Sequence, residues 1–266
     1  MKVRKISAYF QYFKLRPAPG YYRIFISFLL DKILRQIQFS NYKSYPAEIM
    51  IIKFKGLKGI VRPKTEDLLY YSGAAKIATE SWFKPKLGEN IIDVGSNVGR
   101  YSLIAAKKGA NVISIEANPQ TFEVLLENCK INGLRNIRPI NVAVSNKTGK
   151  MMLSYVEGFE GLTSVERNWI ESYGIHQAAT KIEVQSEKLD NLHSFDEVDW
   201  LLIDVEGHEI EVLESALYTL SLTKRIIIEV EPERREKAMK ILNSFVTVKE
   251  VVGNGVNDYI FLIKKE

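Results

Sequence analysis

The sequence predicts an α/β fold with a mostly parallel sheet covered by helices on both faces. Three observations predict it. From residue 89 onward, short apolar or β-branched runs alternate with segments of helical periodicity, a pattern that calls for parallel strands joined by crossover helices. Several of these runs end in an acid just before a helix begins, at Asp93, Glu116 and Asp204. That places charge outside the carboxyl ends of the strands, where such sheets bind ligands. Finally, two terminal runs, 246–252 and 259–263, are joined by Gly253-Asn254-Gly255. A closing hairpin there adds an antiparallel strand, unlike a plain doubly wound dinucleotide domain.

Three zones follow in order along the chain. Residues 1–45 are basic and aromatic, and 21–38 reads as a helix, with Tyr22, Ile26, Leu29, Leu30, Ile33 and Ile37 near helical spacing. This apolar stripe could lie on a membrane surface, pack on its own domain or meet a second subunit in a homo-oligomer. Residues 46–88 contain a hairpin and helix preceding the core. The hairpin strands are 47–54 and 59–61, separated by Lys55-Gly56-Leu57-Lys58. Thr65 suits a helix cap with Glu66 and Asp67 in the first turn, and the helical region runs toward Trp82, interrupted near Gly73.

Residues 89–266 form the ligand-binding domain. Its expected strands are 90–94, 111–115, 137–144, 198–203 and 225–230, and its expected helices are 102–108, 119–131, 209–219 and 232–242. Residues 150–186 break the alternation. Runs at 151–156 and 181–184 look like strands around a Gly- and aromatic-bearing stretch. An insertion of this kind often shapes a substrate site above the sheet.

Composition sets bounds on function. The chain has 266 residues, 46% hydrophobic and 26% charged, enough for one α/β domain with an extension and an ordinary core. Residues 1–45 hold nine Lys or Arg against one acid, a charge of +8, while the whole chain carries +5, so the remainder is −3. The basic segment therefore suggests an anionic partner, either a membrane surface or nucleic acid. The best apolar run, residues 24–30, is bracketed by Arg23 and Asp31 and is far shorter than the roughly 20 residues of a spanning helix. With no clean signal peptide and one cysteine, Cys129, the expectation is a cytoplasmic, membrane-peripheral at most, protein. Cys129 lies in an expected helix without a histidine nearby, which suits a buried structural thiol better than a nucleophile.

The strongest local signal is Asp93-Val94-Gly95-Ser96-Asn97-Val98-Gly99. Glycines at a strand-to-helix turn let backbone approach a ligand. The dinucleotide pattern G-x-G-x-x-G fails, because Asn97 and Arg100 stand where glycines would. The spacing suits a ligand without a pyrophosphate, and Asp93 could face a cationic amino-acid moiety. The bland reading is a structural turn. Glu116, 23 residues after Asp93, could accept from both hydroxyls of a ribose, or merely cap the helix after Asn118-Pro119. Asn141-Val142-Ala143-Val144 ends the third expected strand, where backbone of Val142 and Ala143 could contact an adenine.

Asp204-Val205-Glu206-Gly207-His208-Glu209 follows an apolar strand and opens a helix. Asp204 thus faces the same crevice. Glu206 and His208 sit near the helix start as candidate acid–base groups, or as a dipole partner and a surface residue. Glu229 and Glu231 end the next strand. Several carboxylates around one crevice could position an acceptor, act as a base or bind a hard divalent cation. No pattern indicates a metal site, since His176, His193 and His208 are scattered and cysteine is single.

From about Gly59 to Val230 the chain resembles the FkbM family of S-adenosylmethionine-dependent methyltransferases. The resemblance is carried by Arg62-Pro63-Lys64-Thr65-Glu66-Asp67, Glu80, the Asp93 to Gly99 loop, Glu116-Ala117-Asn118-Pro119, Asn128, Asn132-Gly133-Leu134 and the string from Asp204 to Glu209. The last is the most specific. Ser96 departs from the alanine common in the family, and residues 1–45 lie outside the resemblance. It implies a Rossmann-like class I methyltransferase fold with a mostly parallel seven-stranded sheet. It also implies S-adenosylmethionine as cofactor, held by Glu80, Asp93, Gly95, Ser96, Asn97, Gly99, Glu116, Ala117, Asn118, Val142, Ala143 and Asp204. Asp204, Glu206 and His208 would be catalytic, and the acceptor a hydroxyl of a small molecule, sugar or lipid. An RNA methyltransferase using the basic segment, and a non-catalytic binding module, are the alternatives.

Overall fold

A computed structural model describes residues 49–63, 65, 67–72, 77–156, 163, 179–253 and 257–265. The expected helix over 21–38, the break at Gly73, most of the insertion between its two strands, and Asn254 and Gly255 lie outside the described residues.

The chain opens with an antiparallel hairpin of β1 (Met50–Phe54) and β2 (Leu57–Val61). Phe54 pairs with Leu57, so the turn is only Lys55-Gly56, shorter than the four residues expected. Both turn residues take positive φ, 46° and 75°, the two-residue geometry whose twist matches the flanking strands. Ile52, Phe54, Leu57 and Val61 bury one face of the hairpin. Then come two short helices, α1 (Asp67–Ser72) and α2 (Ile77–Trp82). Asp67 fixes the approach to α1. Its Oδ2 accepts from the Arg62 backbone N–H (2.8 Å) and Nε (2.9 Å), and its Oδ1 from Nη2 (2.8 Å).

The main domain begins with β3 (Asn90–Val94), α3 (Arg100–Lys107), β4 (Asn111–Ile115), α4 (Pro119–Ile131) and β5 (Ile137–Ile140). Next come β6 (Ala143–Val144), β7 (Gly149–Tyr155) and β8 (Thr180–Glu187). The chain then returns through β9 (Trp200–Ile203), α5 (Glu209–Glu214), α6 (Leu217–Leu222), β10 (Arg225–Val230), α7 (Pro232–Leu242), β11 (Val246–Gly253) and β12 (Asp258–Lys264).

The principal sheet has seven strands in the order β11-β12-β10-β9-β3-β4-β5. The pairs among β10, β9, β3, β4 and β5 are parallel, and β12 is antiparallel to both neighbours. This is the expected mostly parallel Rossmann-like sheet with its closing hairpin. The chain runs outward from β3 to β4 and β5, then crosses back to β9 on the other side. The strand order therefore reverses beside β3, where sheets of this kind form a crevice.

Two expectations on single elements are corrected. Residues 137–144 are not one strand: β5 stops at Ile140, and Ala143-Val144 pairs with β8 in a separate sheet of order β6-β8-β7. The cause is Asn141, whose side-chain amide donates to the Glu116 and Ala117 carbonyls (2.8 and 3.1 Å) and turns the chain away. Residues 209–219 are likewise two helices. Ser215 Oγ donates to the Val212 carbonyl (2.7 Å), and Asp190 accepts the N–H groups of Tyr218 and Thr219 (3.0 and 2.8 Å), restarting the helix. Glu231, expected in the strand, is the N-cap of α7.

Period-two alternation divides the core between the sheet's faces. Ile91, Val112, Trp200, Leu202 and Ile227 pack on the side of the hairpin and α3, while Ile92, Ile113, Leu201, Ile203 and Ile228 pack on the side of α5 and α7. Cys129 is buried within α4, and burial pushes its thiol up to about 11, as a structural thiol requires. Among the described residues, no helix is long and apolar enough to cross a membrane.

Asn128, fully buried in α4, joins three elements. Its amide donates to the Tyr71 hydroxyl (2.6 Å) and the Val98 carbonyl (2.8 Å), and its Oδ1 accepts from the Ile60 N–H (2.9 Å). Removing it strands two buried polar groups, the Tyr71 hydroxyl and the Val98 carbonyl, and the part-buried Ile60 N–H. Asn128→Ala is expected to lose about 2–4 kcal/mol in urea unfolding. A loss below about 0.5 kcal/mol would show that water replaces these bonds.

Candidate active site

A pocket opens at the switch point, lined by Asp93, Gly95, Leu202, Ile203, Asp204, Ile227, Glu229 and Tyr259 from the sheet and its loops, and by Tyr70, Thr79 and Tyr101 from the covering helices. Strand register explains why the loops converge. Val94 pairs with Ile203, and Ile203 with Ile228. The residues just beyond these pairs, Gly95, Asp204 and Glu229, therefore emerge side by side. The Asp204 N–H donates to the Val94 carbonyl (3.0 Å). A Cβ on Gly95 would lie 1.9 Å from the Asp204 carbonyl oxygen, so no larger residue fits between the loops. Gly99, at φ 91°, is similarly confined by Leu125 Cδ1, 2.5 Å from its would-be Cβ.

The loop is pinned from below. The Gly95 and Ser96 N–H groups both donate to the Ile115 carbonyl (2.9 and 3.0 Å). Asn97 takes a left-handed φ of 51°, a conformation asparagine tolerates better than most residues. It thus does the conformational work of the glycine missing from the dinucleotide pattern. Its N–H then donates to Glu116 Oε2 (2.9 Å). The Asn118 N–H donates to Glu116 Oε1 (2.8 Å), and Asn118 Oδ1 caps α4 by accepting from the Gln120 N–H (3.0 Å). Glu116 is buried, and desolvation lifts its carboxyl to about 7 despite those two N–H donors.

Asp93 is also buried and accepts a 2.6 Å hydrogen bond from Ser102 Oγ. Glu229 accepts from the Asn257 amide (2.7 Å). Three carboxylates and three tyrosine rings thus line one pocket. Both features favour a cationic ligand, the carboxylates by charge and the rings through their faces.

Of the expected site residues, the structure brings Asp93, Gly95 and Asp204 into this pocket. Glu116, Asn97 and Asn118 form a second group beside it. Val142 and Ala143 are buried beyond that group, Ala143 opening β6 and packing near Ala117. Glu80 stands behind the pocket wall, paired with Lys55 and with Arg100 Nη2 (2.8 Å). His208 is the N-cap of α5. Its Nε2 lies 3.0 Å from Ser145 Oγ and its Nδ1 3.4 Å from Glu211 Oε2, so it does not share the pocket wall with Asp204. Glu206 occupies a left-handed turn at φ 53°, and the next N–H, of Gly207, donates to Glu209 Oε1 (2.8 Å). Glu209 is buried, and desolvation lifts its carboxyl to about 8.

Sequence reasoning assigned no site role to Tyr70, Thr79, Tyr101, Asn257 or Tyr259, and left Glu229 among several carboxylates. The aromatic residues read locally as core. An acid ending an apolar strand was the usable signal for Glu229. Among the described residues, no group of three or more His, Cys, Asp or Glu could hold a metal ion.

The raised Glu116 carboxyl has a definite pH signature. Its folded value of about 7 exceeds the ordinary 4.5, so folding favours the protonated form. The contribution is whole below about 4.5 and disappears as pH rises through 7. Chemical denaturation between pH 5 and 8 should show stability falling by up to about 3 kcal/mol from this group. Glu116→Gln should reduce that slope, leaving the part that the buried Glu209, lifted to about 8, contributes over the same window. An unchanged slope would mean that the folded carboxyl titrates normally.

A family profile described as Methyltransferase FkbM domain matches residues 93–250. Hexuronic acid methyltransferase AglP of Haloferax volcanii is 31% identical over 143 residues, covering 52% of this chain and 54% of AglP. Methyltransferase sdnD of Sordaria araneosa is 25% identical over 151 residues, covering 46% of this chain and 58% of sdnD. The chain thus spans between half and three fifths of the length of these two relatives. A shorter stretch of 56 residues is 41% identical to the 23S rRNA (uracil(1939)-C(5))-methyltransferase RlmD of a Shewanella species, covering 21% of this chain and 12% of RlmD. Among solved structures, M. jannaschii TYW2 in complex with AdoMet is similar with a TM-score of 0.48 and 16% identity, over 84% of this chain and 88% of that one. The profile covers more than half of the chain, and the chain belongs to the FkbM methyltransferase domain family.

Proposed function

We propose that this chain is an S-adenosylmethionine-dependent methyltransferase acting on a hydroxyl of a small molecule, with a sugar acid the favoured acceptor. The observation that carries the reading is the pocket at the switch point, where Asp93, Asp204 and Glu229 meet three tyrosines beside a loop too tight for any Cβ at Gly95. Such a site fits a donor bearing an ammonium and a sulfonium. The name of AglP, a hexuronic acid methyltransferase, favours a sugar acid over a lipid.

When bound, the donor supplies an electrophilic methyl on sulfur. Asp93 and the Gly95 to Gly99 loop would hold its amino-acid end, with Glu80 supporting the wall. Glu116 would accept from the ribose hydroxyls, flanked by Ser96, Asn97, Ala117 and Asn118, with Val142 and Ala143 beside the base. Asp204 would orient the acceptor hydroxyl and accept its proton. His208 and Glu206 would support the Asp204 loop from outside the pocket wall. Most of the acceleration comes from holding both partners at attack distance.

The test is S-adenosylhomocysteine calorimetry, followed by a hexuronic acid panel with methyl-labelled donor. The wild type should bind the nucleoside and label at least one acceptor. Asp204→Asn should keep affinity within several-fold and lose about 100-fold or more in turnover. A wild type that binds no S-adenosylhomocysteine sinks the donor reading, and full turnover by Asp204→Asn sinks the role of Asp204.

A second reading, an RNA acceptor, is favoured by the +8 charge of residues 1–45 and the short match to RlmD. RNA affinity that falls steeply with salt would support it, whereas no RNA binding at low salt would remove it.

A further inference from the structure

Arg100 is the first residue of α3, directly after the ligand loop, and is 2% exposed. Its guanidinium lies against two rings, with Cζ 5.8 Å from the Phe54 centroid and 5.6 Å from that of Tyr101. Nη2 faces Glu80 Oε1 at 2.8 Å. Nε and Nη1 are buried and have no hydrogen-bond acceptor among the described residues. Buried donors of a charged group rarely stay unmatched, because each forfeits its hydration without recompense. The charge count is also incomplete. Among the described residues, Lys55 and Arg100 flank the single carboxylate of Glu80, two cations to one anion.

The neighbours of this cluster belong to the pocket. Tyr101 follows Arg100 and Thr79 precedes Glu80, and both line it with Asp93 and Gly95. Among the described residues, the pocket lining includes three acids and no lysine or arginine. An amino-acid tail is zwitterionic. Its ammonium suits the acids, but its carboxylate would be repelled by them and has no cationic partner among the described residues of the lining. Among the described residues, Arg100, whose guanidinium lies against the pocket-lining ring of Tyr101, is a cation with donors to spare.

We propose that Arg100 receives the α-carboxylate of the donor's amino-acid tail, beside Thr79 and Tyr101, and so selects nucleosides carrying a complete tail. This inference rests on the proposed donor. It divides the pocket into an anionic side for the ammonium and sulfonium and a cationic corner for the carboxylate. Glu80 then serves as a positioning residue that holds the guanidinium against the two rings.

The test compares three nucleosides by calorimetry: S-adenosylhomocysteine, its decarboxylated analogue, and 5′-deoxy-5′-methylthioadenosine, which lacks the amino-acid tail. The wild type should bind S-adenosylhomocysteine about tenfold or more tighter than the decarboxylated analogue, as expected for loss of a buried charge-assisted hydrogen bond. Arg100→Met should weaken S-adenosylhomocysteine by a similar factor and leave methylthioadenosine within about twofold, with Arg100→Lys between. Equal weakening of both by Arg100→Met would reduce Arg100 to a structural role and overturn the proposal, as would no weakening of either. Should Arg100→Met fail to fold, the wild-type comparison decides alone: equal affinity for the parent and decarboxylated nucleosides refutes it. Wild-type binding of none of the three is a different outcome, because it removes the donor itself.

Discussion

The site depends on one steric constraint, the approach of two neighbouring loops at Gly95. β3 and β9 are parallel and paired through their last residues, so the chains leaving them emerge in contact. The distance of 1.9 Å between a would-be Cβ at 95 and the Asp204 carbonyl oxygen leaves room for hydrogen alone. Because strand register and not loop flexibility sets the separation, Asp204 is placed as rigidly as the sheet. Glu229 is placed the same way, one strand further on. The acids of the pocket are thus fixed by the hydrogen-bond ladder behind them.

A second set of contacts attaches the N-terminal hairpin to that frame. Lys107 Nζ donates to the Lys55 and Gly56 carbonyls (3.0 and 2.7 Å), Asn132 exchanges hydrogen bonds with both the N–H and the carbonyl of Lys58, and Asn128 reaches Ile60, Tyr71 and Val98 at once. Each ties the hairpin to α3, α4 or the ligand loop; the Lys107 and Asn132 bonds are exposed, whereas those of Asn128 are buried or part-buried. Tyr70 completes the link by donating to the Ser96 carbonyl (3.2 Å). The walls contributed by α1 and α2 therefore move with the loop they cover.

The sequence made the frame legible because its signals are local. Residues 90–94, 111–115, 119–131, 225–230 and 232–242 are apolar runs or capped periodic segments, and all five coincide with observed elements. What stayed hidden was decided between segments. Nothing near Asn141 announces that its side chain will reach back to Glu116 and end β5, and nothing near Ser215 announces the break between α5 and α6. The pocket divides along the same line. Asp93, Gly95 and Asp204 stand in recognisable strings, whereas Tyr70, Tyr101 and Tyr259 become pocket walls only after folding brings three distant elements together. Asn97 is instructive, since a failed glycine pattern correctly argued against a dinucleotide and yet concealed a residue that folds as glycine would.

The departure of the chain at Asn141 has an architectural result. β6, β7 and β8 pair with one another and share no ladder with the principal sheet among the described residues. A residue gained or lost in β7 or β8 shifts their own register and leaves the alignment of β3, β9 and β10 untouched. The molecule is thus insulated: one layer can drift in length and shape while the layer that aligns the acids stays invariant.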